Sequence, residues 1–411
     1  MLVAMKRVAG AAAGLAAIGA SAGVANAEEA NSISGAIEGG ELIFELRPRV
    51  EHVDQTGTGD ADAFTNRTRL GWKTGSFHGV SGLIEFEDVR NLGGDDYNDG
   101  VPPAEPFATI GDPESTELNR LQLAWRANAH FTATLGRQNV QFDDQRFIDP
   151  SNSRQDSRTY DALRADVTFS SLKGSYVYID HVNNTAAEFT DLDTETHLLN
   201  VTNKFSNAFS LTGFVYALDF TTPSAINQSS EFIGVRASGE IEGFDTKFKY
   251  ALSYANQQDY GSSTVDFDLD YGLASLTATH GPFSGRLQYE TLEGDGVRGL
   301  FFPLGSSTNF HGWANAFGAK PANGLNDFNA SVTWSPDWEA PLFSDLSFTV
   351  RWYEFESERT GADLGEELDF EIAGELTDNL SLQLRSGDYR GGDAGSPAER
   401  RRIWLSLEYK L

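Results

Sequence analysis

The sequence predicts an all-β protein, a closed antiparallel transmembrane β-barrel of about 18 strands with short periplasmic turns and long extracellular loops. Three observations carry this expectation. The segment 403–411 places Ile403, Leu405, Leu407, Tyr409 and Leu411 at every second position, with Ser406, Glu408 and Lys410 between them. That period belongs to a strand with one apolar and one polar face. Segments of the same kind recur along the whole chain, and the links between them alternate in length.

Taken in order, residues 1–27 have a basic start (Lys6, Arg7), a small and apolar stretch, and a closing Ala25-Asn26-Ala27. This is the pattern of a secretory signal peptide with a small-x-small cleavage site. Residues 28–411 read as one barrel domain, with no linker, no composition shift and no apolar run of the ~18–20 residues that a spanning helix needs. Eighteen strands are expected, at 41–53, 62–74, 79–90, 116–127, 130–142, 159–170, 173–181, 195–205, 209–220, 230–240, 244–256, 265–278, 282–293, 327–336, 344–355, 366–376, 379–390 and 400–411. Leu42, Phe44, Leu46 and Val50 alternate with Glu45, Arg47, Arg49 and Glu51; Leu346, Phe348, Val350 and Trp352 alternate with Ser347, Thr349 and Arg351.

Even-numbered links are mostly short (75–78, 127–129, 170–172, 206–208, 241–243, 377–378), whereas odd-numbered links include the long 91–115, 143–158, 182–194 and 294–326. Such alternation is expected when one end of a barrel faces the periplasm and the other faces outside. Alternation alone does not say which face meets lipid. The signal peptide, the terminal strand and the strand number together do, and ~16–18 strands enclose a space too wide for side chains to fill.

Composition narrows the function. The chain has no cysteine and a formal charge of −29, which excludes thiolate chemistry and argues against nucleic acid as a partner. No HExxH is present, and the one GxSxG match, at 19–23, lies in the expected signal peptide and not on a strand-to-helix elbow, so no enzymatic centre is expected. No cofactor is expected either; the carboxylate-rich loop at Asp95–Asp99 has a calcium-loop flavour but lacks the complete ligand spacing and closing glutamate. Arginine outnumbers lysine 23 to 8. Strand parity points Arg47, Arg49, Arg67, Arg69, Arg120, Arg126, Arg164, Arg351 and Arg385 into the lumen, and a bulge near Gly136 would turn Arg137 inward as well. Arg146, Arg154 and Arg158 sit on a long link that could fold inward as a constriction. Ringed guanidinium groups, planar forks suited to carboxylates, bias a pore toward anions. The competing reading is a weakly selective pore, in which arginines pair with lumen carboxylates: Glu45, Glu51, Glu85, Glu87 and Asp166 nearby, and Asp266, Asp268, Asp270, Asp369 and Glu371 opposite. A non-conducting structural or adhesive barrel is a third. Trp313 and Trp404 are candidates for sugar contact, and Trp72, Trp125, Trp334 and Trp352 for a membrane belt.

Residues 136–147 read GRQNVQFDDQRF and continue at 154–164 as RQDSRTYDALR; residues 302–317 read FPLGSSTNFHGWANAF and close at 321–325 with PANGL. Both blocks resemble the alginate export family of outer-membrane proteins. Ser153, His311 with its two predecessors, and Leu411 depart from the family pattern, which usually has Trp, a basic residue and Phe there. The resemblance implies an 18-stranded, porin-like barrel in the bacterial outer membrane with an arginine-rich conduit. Its expected partners are outer-membrane lipids, an anionic sugar or organic-acid solute, and periplasmic export proteins.

Overall fold

The computed structural model describes residues 29–186, 190–306, 309–336, 343–393 and 395–411. The expected signal peptide lies outside the described residues. The strands are β1 Glu41–Gln55, β2 Ala61–Lys73, β3 Val80–Asp96, β4 Ser115–Asn128, β5 Phe131–Gln138, β6 Thr159–Phe169, β7 Leu172–Asn183, β8 Leu192–Lys204 and β9 Ser210–Leu218. They continue as β10 Ser230–Gly243, β11 Thr246–Asp259, β12 Asp268–His280, β13 Phe283–Leu292, β14 Leu325–Trp334, β15 Ser344–Glu356, β16 Asp363–Thr377, β17 Leu380–Arg390 and β18 Arg400–Lys410. Each pairs antiparallel with its chain neighbours, and β1 pairs with β18, Glu45 opposite Lys410 and His52 opposite Ile403. Closure leaves no free edge, so every strand satisfies its backbone polar groups on both sides.

The two faces of the wall are inverted relative to a soluble protein. On β1, Glu45, Arg47, Arg49 and Glu51 are buried, whereas Leu42 and Val50 are about half exposed, at 49% and 52%. The same holds on β4, where Leu121, Leu123 and Trp125 are exposed. Charged side chains therefore occupy the inside and apolar ones the outside, as hydrocarbon surroundings require. Among the described residues no helix is long and apolar enough to cross a membrane. A short helix unforeseen in the sequence, α1 (Ile33–Glu38), is capped by Ser32, whose hydroxyl accepts from Gly35 N. It docks at the short-turn end: Gly75 N donates to Ala36 O, and Trp72 Nε1 donates to Ile37 O at 2.9 Å.

Two features differ from expectation. β5 stops at Gln138, and its pairing with β4 and β6 runs through Gly136 without a bulge. Gly136 instead adopts φ +116°, where a Cβ would lie 2.2 Å from Leu121 O. The apolar parity switch toward Val140 and Phe142 marks the point where the chain leaves the wall for the interior, with Val140 fully buried. On β12 the inward residues are apolar: Leu269 and Tyr271 are buried, as is the preceding Phe267, while Asp268 and Asp270 are exposed. The expected acidic wall at 266–270 is thus absent from the lumen.

Candidate functional site

The links 143–158 and 294–326 both fold into the lumen and bind each other. Asp149 N donates to Leu304 O at 2.8 Å, Ser306 N donates to Gln145 O at 3.1 Å, and Arg146 donates to Ser306 O at 2.7 Å. Against β9, β10 and β12 the contact is aromatic. Phe147 sits 5.0 Å from Phe214, 5.2 Å from Phe232 and Tyr271, and 5.4 Å from Phe302.

Against β1, β2 and β18 the contact is polar. Arg47 lies directly opposite Arg67 in the ladder. Rather than repelling each other unscreened, the two guanidinium groups reach different acceptors. Arg47 donates to Asn152 O at 2.9 Å, to Gln155 Oε1 at 3.0 Å and to Arg154 O. Arg67 pairs with Glu45 and, at 3.3 Å, with Glu408. Arg49 donates to Ser153 O at 2.9 Å and to Ser406 Oγ at 3.0 Å, and lies 3.6 Å from Asp112. Arg69 pairs with Glu87 and donates to Ser157 Oγ. The fully buried Gln155 ties these together: its amide donates to Arg47 O and Thr65 Oγ1, and its backbone N donates to Asp112 Oδ1 at 2.8 Å. Asp112 belongs to the 91–115 link, so a third long connection also reaches inward. Its neighbours Ala108 and Ile110 pack with Val53, Ala61 and Tyr97.

The second inward link ends on a cluster of cations and indoles. Trp313 N donates to Asp369 Oδ2 at 3.2 Å and Ala314 N donates to Glu367 Oε1 at 2.7 Å. Gly312, at φ +81°, and Gly387 leave room for this approach; a Cβ on Gly387 would lie 2.4 Å from Ala314 N. Trp313 stands edge-on to Trp404 at 6.5 Å. Arg385 lies 4.7 Å and Arg351 5.3 Å from the Trp313 ring, and Arg402 lies 4.4 Å from Trp404. Both indoles are buried with arginines over them, so they shelve guanidinium groups instead of offering faces to sugar. Arg385 pairs with Glu371, and Arg402 pairs with Glu51 at 2.6 Å. Arg351 donates to Tyr353 Oη at 2.7 Å. Arg47, Arg286 and Arg351 are among several arginines of the described residues that form no ion pair with a carboxylate; Arg47 and Arg351 bond neutral acceptors instead.

Arg146 is buried against Glu290 at 2.6 Å, with its guanidinium 3.9 Å from the Phe302 ring. It also reaches His311 Nε2 at 2.5 Å, while His311 Nδ1 bonds Asp327 at 3.0 Å. Burial, then Lys320 and Arg146, hold His311 well below the usual imidazole range. It is therefore neutral, accepting from Arg146 and donating to Asp327.

The remaining expected residues are dispersed. Arg120 pairs with Glu85 at 2.8 Å, Arg154 lies 3.8 Å from Glu51, Arg158 bonds Asn184, and Arg164 pairs with Asp166 at 2.8 Å. Arg126 has lumen parity but is exposed at the short-turn rim. Arg137 is not turned inward by a bulge. The ladder sets it opposite exposed Leu121, and it pairs with Asp161 at 2.8 Å. In the 95–100 loop, Asn98 Oδ1 and Asp99 Oδ1 accept from Gly100 N and Val101 N, as a simple turn requires. Sequence reasoning missed Gln155, Arg236, Arg286 and Arg402. Arg402 was readable, since it shares parity with Trp404 and Ser406.

Comparison with known proteins gives a consistent picture. The alginate export family profile matches residues 44–275. No curated protein sequence matches significantly. Among solved structures, the barrel is similar to Pseudomonas aeruginosa OpdK with vanillate, at a TM-score of 0.73 and 13% identity, covering 92% of this chain and 100% of that one. It is also similar to Pseudomonas aeruginosa OccK9 (OpdG), at 0.71 and 13% over 92% and 100%, and to Pseudomonas aeruginosa OpdQ, at 0.68 and 14% over 92% and 99%. At these identities the likeness speaks for the fold.

Proposed function

The chain belongs to the alginate export family, and from that premise we propose that this outer-membrane channel passes anionic solutes, with acidic sugars or other organic acids as the class. The family and fold are those of transport proteins rather than enzymes. The observation that carries the proposal is the guanidinium shelf of Arg351, Arg385 and Arg402 on Trp313 and Trp404. Stacking on indole keeps a guanidinium flat and charged without neutralising it. Arg351 lacks a carboxylate partner, so a passing carboxylate meets a cation with capacity to spare. Binding must admit the solute and still release it, and the nearby Asp369 and Glu371 limit how tightly an anion is held.

A weakly selective pore is the second reading, favoured by the carboxylate partners of Arg67, Arg69, Arg120 and Arg385. Planar-bilayer recording under a salt gradient, with and without uronate oligomers, decides between them. Anion-favouring reversal potentials and concentration-dependent block by the oligomers are expected. A reversal potential near zero with no block would favour the weakly selective pore.

A further inference from the structure

The inward link 143–158 meets the β3–β4 wall at a point the conduit reading leaves unused. Carboxylate oxygens of Glu87 on β3, Glu117 on β4 and Asp156 on the link all lie within 4.8 Å of one another. Asp156 is 1% exposed and Glu87 fully buried. Outside the cluster no donor among the described residues reaches either oxygen of Asp156 or Glu117 Oε1, so these face only their fellow carboxyl groups. Glu87 accepts from Ser157 N at 3.1 Å and pairs with Arg69. Arg67 stands 3.9 Å from Glu87 but is engaged by Glu45 and Glu408. Glu117 is partly exposed, but three carboxylates facing one committed guanidinium leave an excess of two negative charges in a largely buried site, and burying such charge unpaired is costly.

We propose that Glu87, Glu117 and Asp156 form a calcium site that clips the inward link to the barrel wall. The donors are all oxygen, with no imidazole or thiolate, which selects a hard cation. A calcium–oxygen bond of about 2.4 Å sets roughly 4.8 Å as the widest separation of two ligand oxygens across the ion, and the cluster meets that limit. Calcium tolerates irregular and bidentate carboxylate geometry, whereas magnesium demands an octahedron and gives up its waters reluctantly. In the absence of a cation a proton takes its role: burial, then Glu87 and Glu117, push the Asp156 carboxyl up to about 10. The clip lies next to Gln155 and Ser157, which bond Arg47 and Glu87, so it fixes the part of the link that engages the arginine wall.

The inference does not rest on the anion-channel reading, since calcium binding is measured without any flux. The purified, metal-stripped chain in detergent is titrated with calcium chloride at pH 8 by calorimetry. Its Glu117→Gln, Asp156→Asn and Asp378→Asn variants are titrated alongside; Asp378 is an exposed turn carboxylate. One site is expected in the parent and in Asp378→Asn, weakened at least about tenfold in each of the other two. Identical titrations of the parent and Asp156→Asn would overturn the proposal. If a variant does not fold, the parent alone still tests it. Trypsin cleavage at Arg154 and Arg158 is expected to slow with calcium and resume with chelator, and equal rates in both conditions would overturn it.

Discussion

The two sides of the lumen hold the same inward link by different forces. On the β9–β12 side Phe147 is enclosed by Phe214, Phe232, Tyr271 and Phe302. Each aromatic pair contributes about 0.5–1.5 kcal/mol beyond the area it buries. On the β1–β2 side the link is held by hydrogen bonds from Arg47 and Arg49 and by Gln155. Hydrogen bonds and buried ion pairs there largely replace equivalent contacts with water, so their net contribution is small although breaking one is costly. The comparison separates two tasks. The aromatic side supplies adhesion, and the arginine side supplies position and charge.

Phe147→Ala breaks the comparison most severely. It should weaken docking of the link by about 3–5 kcal/mol, seen as rapid trypsin cleavage at Arg146 and Arg158 and a larger single-channel conductance. An unchanged cleavage rate would mean that the polar side alone holds the link. The next effect is pH. The Asp156 carboxyl is raised from 3.8 to about 10, so without calcium its contribution to docking is fully present below pH ~4. It is lost as pH rises toward 10, by at most about tenfold per pH unit. Trypsin susceptibility of the metal-free protein should rise over that window, and Asp156→Asn should flatten the profile. Smaller still, Arg351→Ser removes one unpaired cation near the conduit and should lower anion-over-cation permeability roughly fivefold, the equivalent of about 1 kcal/mol for a charge at 4 Å in water. An unmoved reversal potential would take Arg351 out of the selectivity step. The smallest change is Ser32→Ala, which removes the cap of α1 and should loosen the helix by about 1 kcal/mol, read as faster amide exchange at 33–38 with conductance unchanged.

The wall was legible in the sequence because a strand's period of two survives any tertiary context in which one face meets lipid and the other water. All eighteen expected strands are found, although β5 ends early at Gln138 and β3 runs on to Asp96. Alternation misled wherever the inner face is itself apolar. On β12 the inward residues are Leu269 and Tyr271, so the aspartates between them were assigned to the wrong side. At Val140 and Phe142 the same ambiguity made a departure from the wall look like a bulge. The arginine ladder of Arg47, Arg49, Arg67 and Arg69 followed from parity and from β1–β2 adjacency. That β18 would add Arg402 beside them followed from closure and was overlooked. The partners contributed by the links were not legible: no periodicity announces that Gln155 will meet Arg47, or that Asp156 will meet Glu87, across 108 and 69 intervening steps of chain.

The β1–β18 seam has a consequence for how the molecule assembles. Arg49 meets Ser406 across 357 residues, and Arg402 meets Glu51 across 351. Contacts this distant in sequence form slowly, since the entropy of drawing the ends together must be spent before any of them forms. Until then β1 and β18 each present an open row of amides and carbonyls, with an apolar flank beside it. That state is an invitation to a foreign strand. A short peptide copying residues 400–410 has the register to occupy β1 first, so the nascent protein is open to a competitor that the finished ring excludes.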